Sequence, residues 1–129
     1  MPIVGHGIDL ASVDRIREMI VDHGERFLER VFTAVERETA SKHSGDTKRA
    51  EHLAGRFAAK EAALKALGTG WRDGIAWTDV EILNQPSGAP TLHLHGKAGE
   101  IARSLQTKSM HVSISHAAGV ATASVILES

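Results

Sequence analysis

The stretch from Thr47 to Leu67 constrains this chain more than any other. It runs for 21 residues without Gly or Pro except Gly55, ends at Gly68, and carries Ala at 50, 54, 58, 59, 62, 63 and 66. At about 100° per residue from Leu53, the large side chains Phe57, Leu64 and Leu67 fall within about 40° of it, and Ala54, Ala58, Ala59, Ala62 and Ala66 fill the opposite side. A helix apolar nearly all round is packed on several sides. Yet Lys60 falls about 20° from the centre of the large-residue stripe, Glu61 about 80° from it, and Lys65 lies one turn beyond Glu61. Charges in such a setting need partners.

The rest of the chain resolves into short elements around this helix. Ile3 to Asp9 alternates in period 2 and predicts a strand ending in a carboxylate; Gly5 and Gly7 leave one face bare for a close approach by backbone or ligand. Ser12 caps a helix with Val13, Ile16 and Ile20 on its apolar side, stopped by Gly24. A short helix follows from Glu25 to Phe32, and Thr33 with Glu36 forms a capping box opening a helix to about His43. Beyond the Gly68-Thr69-Gly70 turn come a loop with Trp71 and Trp77, strands at Thr78–Leu83 and Thr91–His95, and a helix at Gly96–Gln106. Strands at Met110–His116 and Val120–Leu127, joined by Ala117-Ala118-Gly119, close the chain as a hairpin. The order predicts an α+β fold with a mostly antiparallel sheet in one domain, 1–129.

Composition narrows the function classes. The 129 residues contain no Cys, which excludes a disulfide framework or zinc ribbon, and 15 basic residues balance 16 acidic ones, against a general nucleic-acid binder. Twelve of the 15 basic residues fall between Arg15 and Arg72, leaving room for a local patch that meets an acidic partner. With no apolar run of about 18 residues and no basic leader, a cytoplasmic protein is expected, with no membrane span. Apolar residues make up 42%, but 18 of the residues are Ala and aromatics are only 4%. So thin a core predicts burial between subunits, with the Ala face of the long helix at the subunit boundary.

Three groupings carry possible chemistry. Asp9 at a strand end and Glu61 on the packed helix are hard oxygen donors suited to Mg²⁺, with Arg56, Lys60 and Lys65 close by to hold an anion; Glu61 is equally placed to pair with Lys65 in a solvated i,i+4 bridge. His93 and His95 share a strand face but lack a third ligand at a telling spacing. Ser115 and His116 offer a Ser/His pair without the glycine pattern of a nucleophile elbow.

Three segments together resemble one family. Gly7-Ile-Asp9-Leu with Arg15-Ile16, then Arg56-Phe-Ala-Ala-Lys60-Glu61-Ala-Ala-Leu-Lys65-Ala-Leu-Gly68-Thr69-Gly70, then His111-Val-Ser-Ile-Ser-His116 are similar, in order, to the signatures of the holo-acyl-carrier-protein synthases, the short bacterial 4′-phosphopantetheinyl transferases. The resemblance implies a homotrimer that transfers phosphopantetheine from coenzyme A to a serine of apo acyl carrier protein. It implies Mg²⁺ on Asp9 and Glu61, with Lys65 at a phosphate. Gly68, Thr69, Gly70, Ile114, Ser115 and His116 would line the coenzyme A site, and Lys48, Arg49 and Arg56 would meet its phosphates. The carrier would dock on Arg15, Met19, Arg26 and Phe27. One departure stands out: Gly88-Ala89-Pro90 replaces the usual Gly-Lys-Pro or Gly-Arg-Pro, so no role passes to Ala89. A non-catalytic module binding coenzyme A or the carrier is the alternative, and it would have no need of two metal carboxylates.

Overall fold

A computed structural model describes residues 2–71 and 74–129; Arg72, at the end of the basic stretch, lies outside them. Strand β1 (Ile3–Ser12) leads into helices α1 (Val13–His23), α2 (Glu25–Val31), α3 (Ala34–Ser41) and the long α4 (Asp46–Leu67). The hairpin β2 (Val80–Asn84) and β3 (Pro90–Leu94), helix α5 (Gly96–Ser104), and the hairpin β4 (Ser109–Ala117) and β5 (Val120–Glu128) complete the chain. All pairings are antiparallel, but they form two sheets instead of one: β1-β5-β4 and β2-β3. Among the described residues no helix is long and apolar enough to cross a membrane.

Helix α4 lies across the inner face of the three-stranded sheet, and small residues make this possible. A Cβ built at Gly5 would overlap the carbonyl of Ala66, and one at Gly7 the carbonyl of Ala62. Further along, Gly55 leaves room for Ile114 and His116 of β4. The inner row of β5, Ala121, Ala123, Val125 and Leu127, is fully buried beneath the helix. Ala54 and Ala58 are likewise buried inside the single chain. The Ala face therefore packs within the chain and is not a subunit boundary: the bare glycine face of β1 covers its Ala62 and Ala66 end, which the composition could not reveal.

The caps follow the sequence closely. The Ser12 hydroxyl accepts from the Arg15 N–H, and Thr33 and Glu36 form a reciprocal capping box. Glu36 does more than cap. Its carboxylate also accepts from the Ile82 N–H and pairs with Lys60 Nζ at 2.8 Å, both side chains being fully buried. Burial pulls the Lys60 pKa down while the Glu36 charge pushes it back. Lys60 also donates to the carbonyls of Val80 and Trp77, so its three protons tie α3, α4 and β2 together.

The observed ends shift from the expected ones for local reasons. Strand β1 continues past Asp9 to Ser12 because its pairing with β5 continues to Val120. Strand β2 starts at Val80, since Asp79 accepts from the Ala76 N–H and winds Trp77–Asp79 into a 3₁₀ turn. Helix α5 ends at Ser104, before Gln106 takes a φ of 61°.

Candidate active site

Asp9 and Glu61 meet because the α4–β1 contact is so close. The carboxylate near the end of β1 and the one midway along α4 both line a cleft of about 410 Å³. Its other walls are Leu10, Ala11, Ser12, Arg15, Ile16 and Met19, with Phe27 and Phe57. Lys65 Nζ lies 3.0 Å from Asp9 Oδ1 and 3.0 Å from the Ile8 carbonyl, so its partner is Asp9 across the α4–β1 contact, not Glu61 one turn away. Burial raises the Glu61 pKa above the ordinary value, and the nearby Asp9 charge adds to this. An indole N–H from Trp71 and the Lys65 charge oppose it. Two half-buried carboxylates side by side, with the Lys65 ammonium bound to one of them, form a site whose charge a dication would balance. The donor set, all oxygen with room for water, fits Mg²⁺ better than a metal preferring nitrogen or sulfur.

The other expected residues divide into groups. Arg15 and Met19 stand on the cleft wall contributed by α1, and Arg26 is exposed nearby on α2. Phe27 reaches the cleft but is only 7% exposed, packed edge-on against Phe32 at 5.9 Å, so it is chiefly a core residue. Gly68, Thr69 and Gly70 follow the end of α4, where Gly68 takes a left-handed cap. Lys48 is exposed, while Arg49 borders a separate small cavity with Glu25 and Arg37. Ile114 lies two strands from Asp9, across the Asp9–Ala123–Ile114 row, and His116 lines a groove with Glu51 and Ala117 to Val120. A single chain thus does not bring Lys48, Arg49 or residues 114–116 to the carboxylate cleft.

Two basic residues depart from their expected place. Arg56, 8% exposed, donates to Asn84 at the end of β2, and Lys60 is committed to Glu36; neither faces the cleft. Residues 56 and 60 lie one turn apart on the side of α4 turned to the β2–β3 hairpin, whereas Glu61 and Lys65 occupy the edge beside β1. The Ser/His pair also dissolves. Adjacent strand residues point to opposite faces, and His116 Nε2 bonds the Glu51 carbonyl at 2.9 Å. His93 and His95 are taken by Thr91 and Glu81.

One side chain at the site had no role in the sequence reading. Trp71 Nε1 lies 3.3 Å from Glu61 Oε1. The signal for it was the pair of glycines at 68 and 70, which take φ values of 80° and 62° and turn the chain back toward α4.

The fold thus gathers a carboxylate pair, a lysine and an arginine-bearing helix around one cleft. The family model of the 4′-phosphopantetheinyl transferase superfamily matches residues 5–123. The chain is 46% identical over 126 residues to a holo-[acyl-carrier-protein] synthase of Solibacter usitatus and 47% identical over 127 residues to one of Koribacter versatilis, with 98% of each chain covered in both cases. Its fold is similar to the Bacillus anthracis holo-(acyl-carrier-protein) synthase in complex with coenzyme A (3′,5′-ADP), with a TM-score of 0.80 at 38% identity, covering 98% of this chain and 97% of that one. The Helicobacter pylori holo-[acyl-carrier-protein] synthase in complex with coenzyme A gives 0.82 at 32% identity, covering 95% and 99%. The chain belongs to the 4′-phosphopantetheinyl transferase superfamily and, within it, to the holo-[acyl-carrier-protein] synthases.

Proposed function

We propose that this chain transfers 4′-phosphopantetheine from coenzyme A to a serine of apo acyl carrier protein. The observation that carries this reading is the joint presence of Asp9, Glu61 and Lys65 at one cleft whose wall bears Arg15 and Met19. The serine oxygen forms a bond to the pyrophosphate phosphorus on the pantetheine side. The bond from that phosphorus to the bridging oxygen breaks, adenosine 3′,5′-bisphosphate leaves with the electron pair, and the serine proton passes to solvent. Phosphoryl transfer asks a protein chiefly for positioning and charge neutralisation.

Asp9 and Glu61 hold Mg²⁺, which when bound neutralises pyrophosphate charge. Lys65, kept at the cleft by Asp9 and the Ile8 carbonyl, offers its remaining proton to a phosphate oxygen. Arg15 and Arg26 meet the acidic surface of the carrier, and Met19 supplies an apolar contact beside the reacting serine. The Gly68-Thr69-Gly70 backbone receives coenzyme A together with Lys48, Arg49 and Ile114, Ser115 and His116. That the last five lie apart from the cleft in one chain supports a site shared between two copies in a cytoplasmic homotrimer of one-domain chains. Arg56, the remaining partner expected for the coenzyme A phosphates, donates to Asn84 away from the cleft in one chain.

Mass spectrometry of apo carrier protein incubated with the chain, coenzyme A and Mg²⁺ tests the proposal. The expected result is a gain of one phosphopantetheine group, lost with a chelator and lost with Asp9→Ala or Glu61→Ala. Full transfer by either variant would remove the carboxylates from the reaction, and no gain with the unaltered chain would overturn the function itself.

A further inference from the structure

We propose that Trp71 is a positioning residue that orients Glu61, an inference that rests on the metal-carboxylate reading above. Helix α4 ends where Gly68 takes a left-handed conformation, its N–H closing on the Leu64 and Lys65 carbonyls. Gly70 takes a second positive φ of 62°. A side chain at either position would be strained. These two turns fold the chain back beside the helix, so that residue 71 lies next to residue 61.

The indole is held from behind. Trp71 packs on Trp77 with ring centroids 3.7 Å apart, and Trp77 stacks on Phe57 at 5.0 Å. Trp77 is itself anchored, since its carbonyl accepts from the buried Lys60 at 3.2 Å. A continuous path of packed groups therefore runs from the Glu36–Lys60 pair through Trp77 and Trp71 to Glu61. The chemistry of the donor suits this task. An indole N–H can only donate, and it carries no charge. It engages Glu61 Oε1 without cancelling the negative charge that the two carboxylates offer a dication. A lysine or arginine in the same place would orient Glu61 and neutralise it at once. Partners of this kind fix the orientation of a metal-binding carboxylate, and their loss weakens metal affinity by about 10–100-fold.

The test uses the full chain with saturating coenzyme A and Mn²⁺ as the probe, free Mn²⁺ being read by electron paramagnetic resonance. Trp71→Phe keeps a ring on Trp77 but lacks the N–H, and is expected to raise the Mn²⁺ Kd about tenfold. Glu61→Gln is expected to abolish the Mn²⁺ site. A spectroscopic reading separates orientation from general damage. The chain has two Trp residues, hence two indole N–H peaks in a ¹⁵N spectrum, and Trp71→Phe identifies the peak of residue 71. Glu61→Gln should shift that peak and leave the Trp77 peak in place. Unchanged Mn²⁺ affinity in Trp71→Phe, or an unmoved Trp71 peak in Glu61→Gln, overturns the proposal. Should Trp71→Phe fail to fold, Glu61→Gln decides alone, the moving peak being assigned by its contacts. If the unaltered chain binds no Mn²⁺ that Glu61→Gln removes, the metal reading itself fails and the role of Trp71 falls with it.

Discussion

His52 shows how one side chain can be chosen for packing at a price in acid. It sits on α4, packed against His43 with ring centroids 4.5 Å apart and planes tilted by 36°, and its buried Nε2 has no hydrogen-bond partner among the described residues. Burial first, then the nearby charges of Arg56, His43 and His116, lower its pKa to about 3. The folded chain therefore keeps this ring neutral where the unfolded chain takes up a proton near pH 6.5. Stability from this group is complete above pH 6.5 and is lost as the pH falls toward 3. Between pH 7 and 5, above the carboxylate range, the loss from this one group approaches about 2 kcal/mol. Urea unfolding at several pH values should show that slope, and His52→Leu should flatten it even if it shifts the stability at pH 7. An equally steep slope in His52→Leu would assign the acid sensitivity to other groups.

At the scale of elements, the decisive contact is α4 on β1. The bare sides of Gly5 and Gly7 let the helix backbone approach the strand, and this approach sets Asp9 beside Glu61 and Lys65. A methyl at Gly7 would meet backbone, not the end of a flexible side chain, so relief requires moving the helix. Overpacking of this sort typically costs about 1–3 kcal/mol and occasionally more. Gly7→Ala should therefore lower the unfolding free energy measured by urea titration by an amount in or above that range, and reduce transfer at least tenfold in the fraction that remains folded. A variant with unaltered midpoint and activity would show that the helix and strand have slack between them. The two glycines were visible in the sequence as a bare face awaiting a close neighbour. That the neighbour is the Ala face of α4 was not, because each half of the contact is defined only by the other.

For the whole molecule, the outer face of the β1-β5-β4 sheet raises the question of assembly. Ile8 and Leu10 are 58% and 67% exposed, with Val120 exposed beside them and the partly buried Ile126 in the same outward rows. Exposed apolar side chains, here set among Ser124 and Thr122 of β5, offer a surface on which copies of the chain can meet. In the proposed trimer this face, and not the Ala face of α4, supplies the burial between subunits. Ile8→Asp should then convert the trimer to a folded monomer in analytical ultracentrifugation, with circular dichroism unchanged and coenzyme A binding weakened at least tenfold. A variant that stays trimeric would move the interface elsewhere.

Local patterns settled much of this protein without coordinates. The caps at Ser12 and Thr33, the stop at Gly68 and the hairpin of the last two strands all depend on near neighbours. Tertiary structure alone decided which charges serve the core and which the cleft. Lys60 and Glu61 are adjacent on one helix, yet 100° of rotation sends the first to Glu36 and Trp77 and the second to Asp9 and Trp71. The same rotation hides Arg56 against Asn84 while Lys65 reaches Asp9. A helix apolar on nearly every side conceals which side is the sheet and which the cleft, and only the strands packed against it distinguish them.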